Sequence, residues 1–333
     1  LLVFLGDAVV LTGYLALSLA SLVAGFNVGN RNSKNVELLA GALLTGAILS
    51  ATVAFVQVTG VWESSSLINR MQFLGRPGAN LGQPNQLATL LLMGLSSLLY
   101  LYEKKRLGAY SATLVSLVLA TGLAATASRT AVISLFVLAG WWFAKRLKIA
   151  SGLRTWWLLS LLAGVLLFYW AWPRAVDLLM QMTPSTSVVN TVAYNRWFVW
   201  PQLVDAILLR PWFGWGIGQV STAHNAVIDG YSISEPYTYA HNVLLDFALG
   251  TGLPLTLLFL ATICLWLWRR VLHIRELTPW YSVAVVIPFA IHSLLEFPFA
   301  YAYFLLPVMF ALGVLESSVG SKPLFHFQKI DRK

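Results

Sequence analysis

The chain contains one cysteine, Cys264, and it lies inside an apolar run. An internal disulfide is therefore excluded, and so is a cysteine-based metal cluster. Charge is scarce as well. Asp, Glu, Lys and Arg make up 11% of the 333 residues, against roughly 25% in soluble domains. With 58% hydrophobic residues, 14 tryptophans and a mean hydropathy of +0.72, this points to a polytopic integral membrane protein. Acid is scarcer than base, at 13 Asp and Glu against 22 Lys and Arg, a net charge of +9. In a soluble protein that balance would suggest nucleic acid. Here the basic residues gather in short segments between apolar runs, so topology explains them and no nucleic acid is expected. Metal-ligand spacings such as HExxH are absent, as is a nucleophilic serine in a Gly-x-Ser-x-Gly setting. Gly214, Gly216 and Gly218 form no phosphate loop, since no strand precedes them and no Gly-Lys-Ser/Thr follows. No metal and no cofactor is expected. The chain begins on Leu1, as a trimmed or partial chain would.

What is present is a series of apolar runs. At about 20 residues per membrane helix, nine spans are predicted, at 2–25, 36–59, 86–102, 108–127, 131–144, 155–173, 240–268, 280–297 and 299–317. The fold class expected is all-α, a single polytopic transmembrane bundle over 1–333. A long segment, 174–239, sits between the sixth and seventh spans. Structureless loops of that length are uncommon, so it is expected to be partly helical. Trp197, Trp200, Leu203 and Ile207, spaced by three and four, predict a helix over 192–209. Its tryptophans suit a helix lying flat in the membrane interface.

The basic clusters orient the set. Lys104-Lys105-Arg106, Lys145-Arg146 with Lys148 and Arg154, Arg269-Arg270 with Arg275, the segment 30–34, and 322–333 all fall on one side of this threading. By the positive-inside rule that side is the cytoplasm.

The outward side then holds the unusual polar residues. Arg129 falls at a hairpin tip between two apolar spans, where a fixed charge is costly and reads either as a site residue or as an anchoring arginine. Arg70, Arg76, Gln83 and Asn85 lie in the segment 60–85, Asn195, Arg196 and Arg210 in the long loop, and His241 and Asn242 where that loop re-enters the membrane. Arg210 also reads as a cap on the loop helix. His292 and Glu296, one helical turn apart, read as a pair that holds two spans together or as part of the site. His224 reads as a solvated loop residue. Arginines suit diphosphate because the planar fork makes paired, charge-assisted bonds. A histidine at the same level can take or give a proton near neutral pH. Together they suggest transfer chemistry on a lipid-linked phosphate. A lipid-linked-sugar transporter is the rival of another class, but carriers keep their unusual charges near the midplane.

Gly82-Gln83-Pro84-Asn85-Gln86-Leu87-Ala88, Ser128-Arg129-Thr130-Ala131, the stretch from Asn195-Arg196-Trp197 to Gly214-Trp215-Gly216-Ile217-Gly218, and Ala240-His241-Asn242 carry a family resemblance. In this order and placement they resemble the bacterial O-antigen ligase / O-antigen polymerase superfamily. His292-Ser293-Leu294-Leu295-Glu296-Phe297-Pro298, Tyr301-Ala302-Tyr303-Phe304 and the Gln-Pro-Asn motif look most like its protein-glycosylating, pilin-type O-oligosaccharyltransferase branch. The resemblance implies a GT-C-like, metal-independent glycosyltransferase of the bacterial inner membrane. Its active site would face the periplasm, and 174–239 would be a periplasmic loop. Its donor would be an undecaprenyl-diphosphate-linked glycan, and its acceptor a Ser/Thr hydroxyl of a periplasmic protein such as pilin. Lipid A core or a growing glycan are the alternative acceptors. His241, Arg129 and Arg196 would be catalytic. Arg76, Gln83, Asn85, Arg210, Asn242, His292 and Glu296 are the expected substrate-binding residues. Asp246 and Gly250 stand where the family often has Gln and Glu. Family members usually have about twelve spans, so further N-terminal spans and a C-terminal region are expected outside this sequence.

Overall fold

The computed structural model describes residues 5–31, 33–61, 66–71, 75–179, 191–232 and 237–318, with a few helix-end side chains, those of 191–197 among them, outside the described part. Among the described residues there are twelve α-helices and no strand. They are α1 (Leu5–Arg31), α2 (Ser33–Thr59), α3 (Pro84–Glu103), α4 (Ala109–Ala125), α5 (Arg129–Lys145), α6 (Thr155–Leu179), α7 (Thr191–Leu209), α8 (Val220–Asn225), α9 (Val243–Thr251), α10 (Leu253–Val271), α11 (Leu277–Ser293) and α12 (Ala302–Ser317). The protein is an all-α polytopic membrane protein. Five stretches, Ala8–Gly29, Lys34–Thr59, Pro84–Glu103, Thr155–Val176 and Leu253–Val271, are long and apolar enough to cross a membrane. α4, α5, α11 and α12 are shorter apolar helices of 16 or 17 residues.

The local chemistry sets the helix ends near the site. Pro84 opens α3 from an extended Gln83, where a missing N–H costs nothing. Ser128 caps α5 by accepting from Ala131 N at 3.2 Å, and Asn242 caps α9 by accepting from Leu244 N at 2.9 Å and Leu245 N at 3.3 Å.

The main core packs α2, α3, α4, α5, α6, α11 and α12 around Leu87, Leu91, Tyr100, Trp142, Tyr281 and Phe304. α1 joins along α12, where a Cβ on Gly25 would meet Phe310 O at 2.0 Å and one on Gly313 would meet Leu22 O at 2.0 Å. Only glycine permits that approach, which suits helices that gain from close backbone contact rather than from the hydrophobic effect.

A second core lies in the loop region, where Val199, Leu203, Ala206, Ile207, Val220 and Leu249 are buried together. It gives the helix expected over 192–209 a protein surface to pack against. The apolar stripe of α7 packs on α8 and α9. The expected span 240–268 is corrected, being two helices broken at Gly252 (φ +85°). The break has a tertiary cause. The glycine-rich loop donates Trp215 N to Leu249 O (2.7 Å) and Gly216 N to Gly250 O (3.1 Å), and Leu253 N donates to Pro211 O (2.7 Å). A Cβ on Gly252 would meet Trp212 C at 2.5 Å.

The polar ties sort by end. At one end Arg106 Nε meets Glu37 (2.8 Å), Arg270 meets Glu316 (2.6 Å), and Lys145 Nζ donates to Val271 O and Leu272 O (2.8 and 2.9 Å). The charge-based threading assigned that end to the basic clusters. Two cavities, of about 420 and 790 Å3, lie in the half of the bundle nearer it. The residues singled out from the sequence lie at the other end.

Candidate active site

Three helix ends and one loop entry converge at that end. α11 stops at Ser293, and a turn closed by Glu296 N→His292 O (2.8 Å) brings Glu296 back over the bundle. Glu296 is 1% exposed. His241 sits just before the cap of α9 with a left-handed backbone (φ +53°). That conformation is uncommon outside glycine and asparagine, and it persists only where neighbours hold it. Ala240 is held on both sides, its N donating to Asp246 Oδ1 (3.1 Å) and its O accepting from Trp200 Nε1 (3.0 Å).

His241 Nδ1 donates to Glu296 Oε2 at 2.5 Å. In a neutral imidazole that bond would leave the lone pair on Nε2. Glu296 Oε1 accepts from Asn85 Nδ2 at 3.4 Å, and Asn85 Oδ1 accepts from Ser128 Oγ at 2.7 Å. Ser128 is the cap whose next residue is Arg129. One polar chain therefore joins four sequence-distant motifs, from the loop entry through the α11 turn and the start of α3 to the start of α5. An aromatic wall closes one side. Phe297 and Tyr237 meet the His241 ring edge-on (4.8 and 5.7 Å between centroids), and Tyr239 stacks on Phe297 at 4.6 Å.

Arg129 is exposed as the first residue of α5. Arg76 is half-buried and donates Nε to Thr126 O at 3.0 Å, two residues before that cap. Burial lowers its pKa, and the charge of Arg129 lowers it further. Arg76 thus lies within the field of the Arg129 guanidinium.

The other expected site residues divide. Gln83 holds the turn before α3 through its carbonyl, which accepts from Leu87 N (3.1 Å). Asn242 uses its side-chain oxygen on the α9 cap. Arg210 stacks on Trp215 with its guanidinium carbon 4.1 Å from the ring, beside the second core rather than in the polar chain. Arg196 belongs to the first turns of α7, and its side chain lies outside the described residues.

The two expected partners His292 and Glu296 also reach beyond each other. His292 is buried and bonds Thr89 Oγ1 at 2.8 Å, joining α11 to α3, while Glu296 bonds His241. His224 is corrected. It is fully buried, with Nε2 donating to Gln202 Oε1 at 2.7 Å. Sequence reasoning missed Ser128 as a side-chain link, Asp246 as the acceptor for Ala240 N, and the Tyr303–Gln86 bond (2.6 Å) between α12 and α3. The signal for Ser128 was its place one residue before a helix.

The sequence is similar to known proteins along most of its length. The chain matches the O-antigen ligase family over residues 114–260, a protein glycosylation ligase family over 77–102, and the C-terminal part of a virulence-factor membrane-bound polymerase family over 280–332. It is 31% identical over 335 residues to a general O-oligosaccharyltransferase of Acinetobacter baylyi, covering 95% of this chain and 57% of that one. It is 30% identical to a ComP-specific O-oligosaccharyltransferase of the same organism, covering 96% of this chain and 58% of that one. The chain thus spans a little over half the length of these curated relatives. It is similar to the O-antigen ligase family over residues 114–260 and to these protein-glycosylating relatives over nearly its whole length.

Proposed function

We propose that this protein is an oligosaccharyltransferase that moves a glycan from undecaprenyl diphosphate to a Ser or Thr hydroxyl of a periplasmic protein, such as a pilin. The observation that carries this reading is the His241–Glu296–Asn85–Ser128 chain, which ends beside Arg129 and Arg76. In this reading the acceptor hydroxyl gives its proton to His241 Nε2. Glu296, bonded to Nδ1, offsets the charge of the imidazolium that forms. The hydroxyl oxygen bonds to the first sugar carbon, and the bond from that carbon to the diphosphate breaks. The electron pair leaves with the diphosphate. Arg129, with Arg76 and Arg196, meets the charge that grows there. No metal or cofactor enters the reaction. Gln83, Asn85 and Asn242 line the approach, and the aromatic wall of Tyr237, Tyr239 and Phe297 offers faces for sugar rings.

The site faces the periplasm in this reading, because the basic clusters at the opposite end belong on the cytoplasmic side of the bacterial inner membrane. A second reading, ligation to lipid A core, is favoured by the O-antigen ligase match over residues 114–260. Mass spectrometry of periplasmic proteins from cells with and without the gene separates the two. Loss of a protein-linked glycan is the expected result, and loss from lipopolysaccharide alone would choose the second reading. A transporter would leave the donor on the inner face when His241 is removed, whereas a transferase leaves it intact on the outer face.

A further inference from the structure

At the basic end, the cavity of about 420 Å3 opens between the inner halves of α3, α4 and α5 and the start of α6. Its size falls within the ~300–1,000 Å3 range of ligand pockets. Its walls are mostly apolar, with Leu95, Leu135, Leu158 and Leu161 among them. On α6 the lining runs from Trp156 to Leu161, roughly 10 Å of helix, a good part of one ~15 Å leaflet. The wall also carries Trp142 and Trp280. At the rim stands Arg154, exposed, with Lys148 and Lys105 exposed on the same end of the bundle. The loop that presents Arg154 is fixed, since the Glu103 carboxylate accepts from Gly152 N (3.0 Å), Leu153 N (3.1 Å) and Ser151 Oγ.

We propose that this cavity is a binding site for one anionic phospholipid of the leaflet at the basic end. An acyl chain fills the apolar slot and the phosphate lies against Arg154. A neutral detergent-like molecule would leave the basic rim without a counter-charge. A zwitterionic lipid would bring a second cation toward a rim that is already basic. The site lies at the far end from His241, so the proposal stands whatever the transfer reaction proves to be.

The test is native mass spectrometry of the whole chain with phosphatidylglycerol and with phosphatidylcholine of equal chain length. The wild type is expected to hold one phosphatidylglycerol, about tenfold more tightly than phosphatidylcholine, as suits a charge-assisted contact. Arg154→Gln, a surface change, should bring the two lipids to similar affinity. Ala139→Phe, which fills the slot, should remove the bound lipid. Should that variant fail to fold, Arg154→Gln still decides. Equal binding of the two lipids by the wild type would overturn the site, as would a preference that Arg154→Gln leaves unmoved. Retention of a polyprenyl phosphate or diphosphate in place of the phospholipid would overturn it as well.

Discussion

At the basic end of the bundle three polar ties each join two elements. Arg106 meets Glu37, Arg270 meets Glu316, and Lys145 sits on the last carbonyls of α10. At the opposite end the ties run on. His241 leads to Glu296, Glu296 to Asn85, Asn85 to Ser128, and Ser128 to the cap before Arg129. A tie between two elements stabilises one contact. A chain couples the position of each member to the next, which suits groups that must hold a reacting geometry. Acid is also spent differently. Glu37 and Glu316 neutralise arginines, whereas Glu296 is given to a histidine and Arg76 lies within the field of Arg129.

The contrast predicts large effects on transfer at one end and effects on stability alone at the other. His241→Ala should cost about 10²–10⁴-fold in glycan transfer, with near-normal protein abundance, measured with purified protein and a lipid-linked donor. Full activity in that variant would break the comparison outright. Arg129→Ala should cost on the order of 10²-fold at equal abundance, as loss of one donor to a developing charge does elsewhere. Arg129→Lys should recover part of it, because the charge remains and the fork does not. Glu296→Gln removes the counter-charge but keeps an acceptor for Nδ1–H. A loss of about 10–100-fold is expected, with Glu296→Asp closer to wild type. If Glu296→Gln instead only lowered the melting temperature, Glu296 would be an ordinary tie.

The basic end supplies the converse. Glu316 accepts from both Arg270 Nη2 (2.6 Å) and Trp266 Nε1 (2.9 Å). These ties join α10 to α12, and α10 otherwise exposes most of its surface. Glu316→Gln should cost about 1 kcal/mol of stability, since the pair is about a quarter exposed and such pairs are weak. Transfer by the folded fraction should stay within about twofold. A transfer defect there, with no change in thermal unfolding, would mean that the two ends are coupled.

Much of this division was legible in the sequence, and the reason is cost. A polar side chain in an apolar chain stands out, so Arg129, Asn85, His241 and Glu296 could be named from their surroundings alone. The sequence could not say who pairs with whom. His292 and Glu296 have the spacing of neighbours on a helix, but α11 ends at Ser293, and the following turn carries Glu296 to a residue 55 positions earlier in the chain. The same holds for the break at Gly252. Nothing in the apolar run 243–268 stops a helix strongly except Gly252 and Pro254, and the stop becomes intelligible only once the glycine loop is seen to bond Leu249 and Gly250. His224 looked solvated because its sequence neighbours are polar. It is buried because α7 brings Gln202 over it.

His224 also gives the smallest expected effect and the finest test of where the second core belongs. Its pKa is lowered from the ordinary 6.5 by burial. Above about 6.5 the ring is neutral both in the folded core and in an opened one, and pH has no purchase. Below that value the opened state takes up a proton more readily than the folded state. Stability of the α7–α8 packing therefore falls as pH drops from 6.5 toward the folded pKa, and then levels off. Hydrogen exchange in α8 should speed up several-fold between pH 7.5 and 5.5, after correction for the intrinsic rate. α3, at the heart of the main core, should not change. His224→Gln keeps a side-chain donor for Gln202 but cannot titrate there, and its exchange should lose the pH dependence. If α3 moved with α8 in the wild type, the two cores would open as one unit. The loop core that holds Ala240 before His241 would then be an extension of the bundle rather than a separately stable cover over the site.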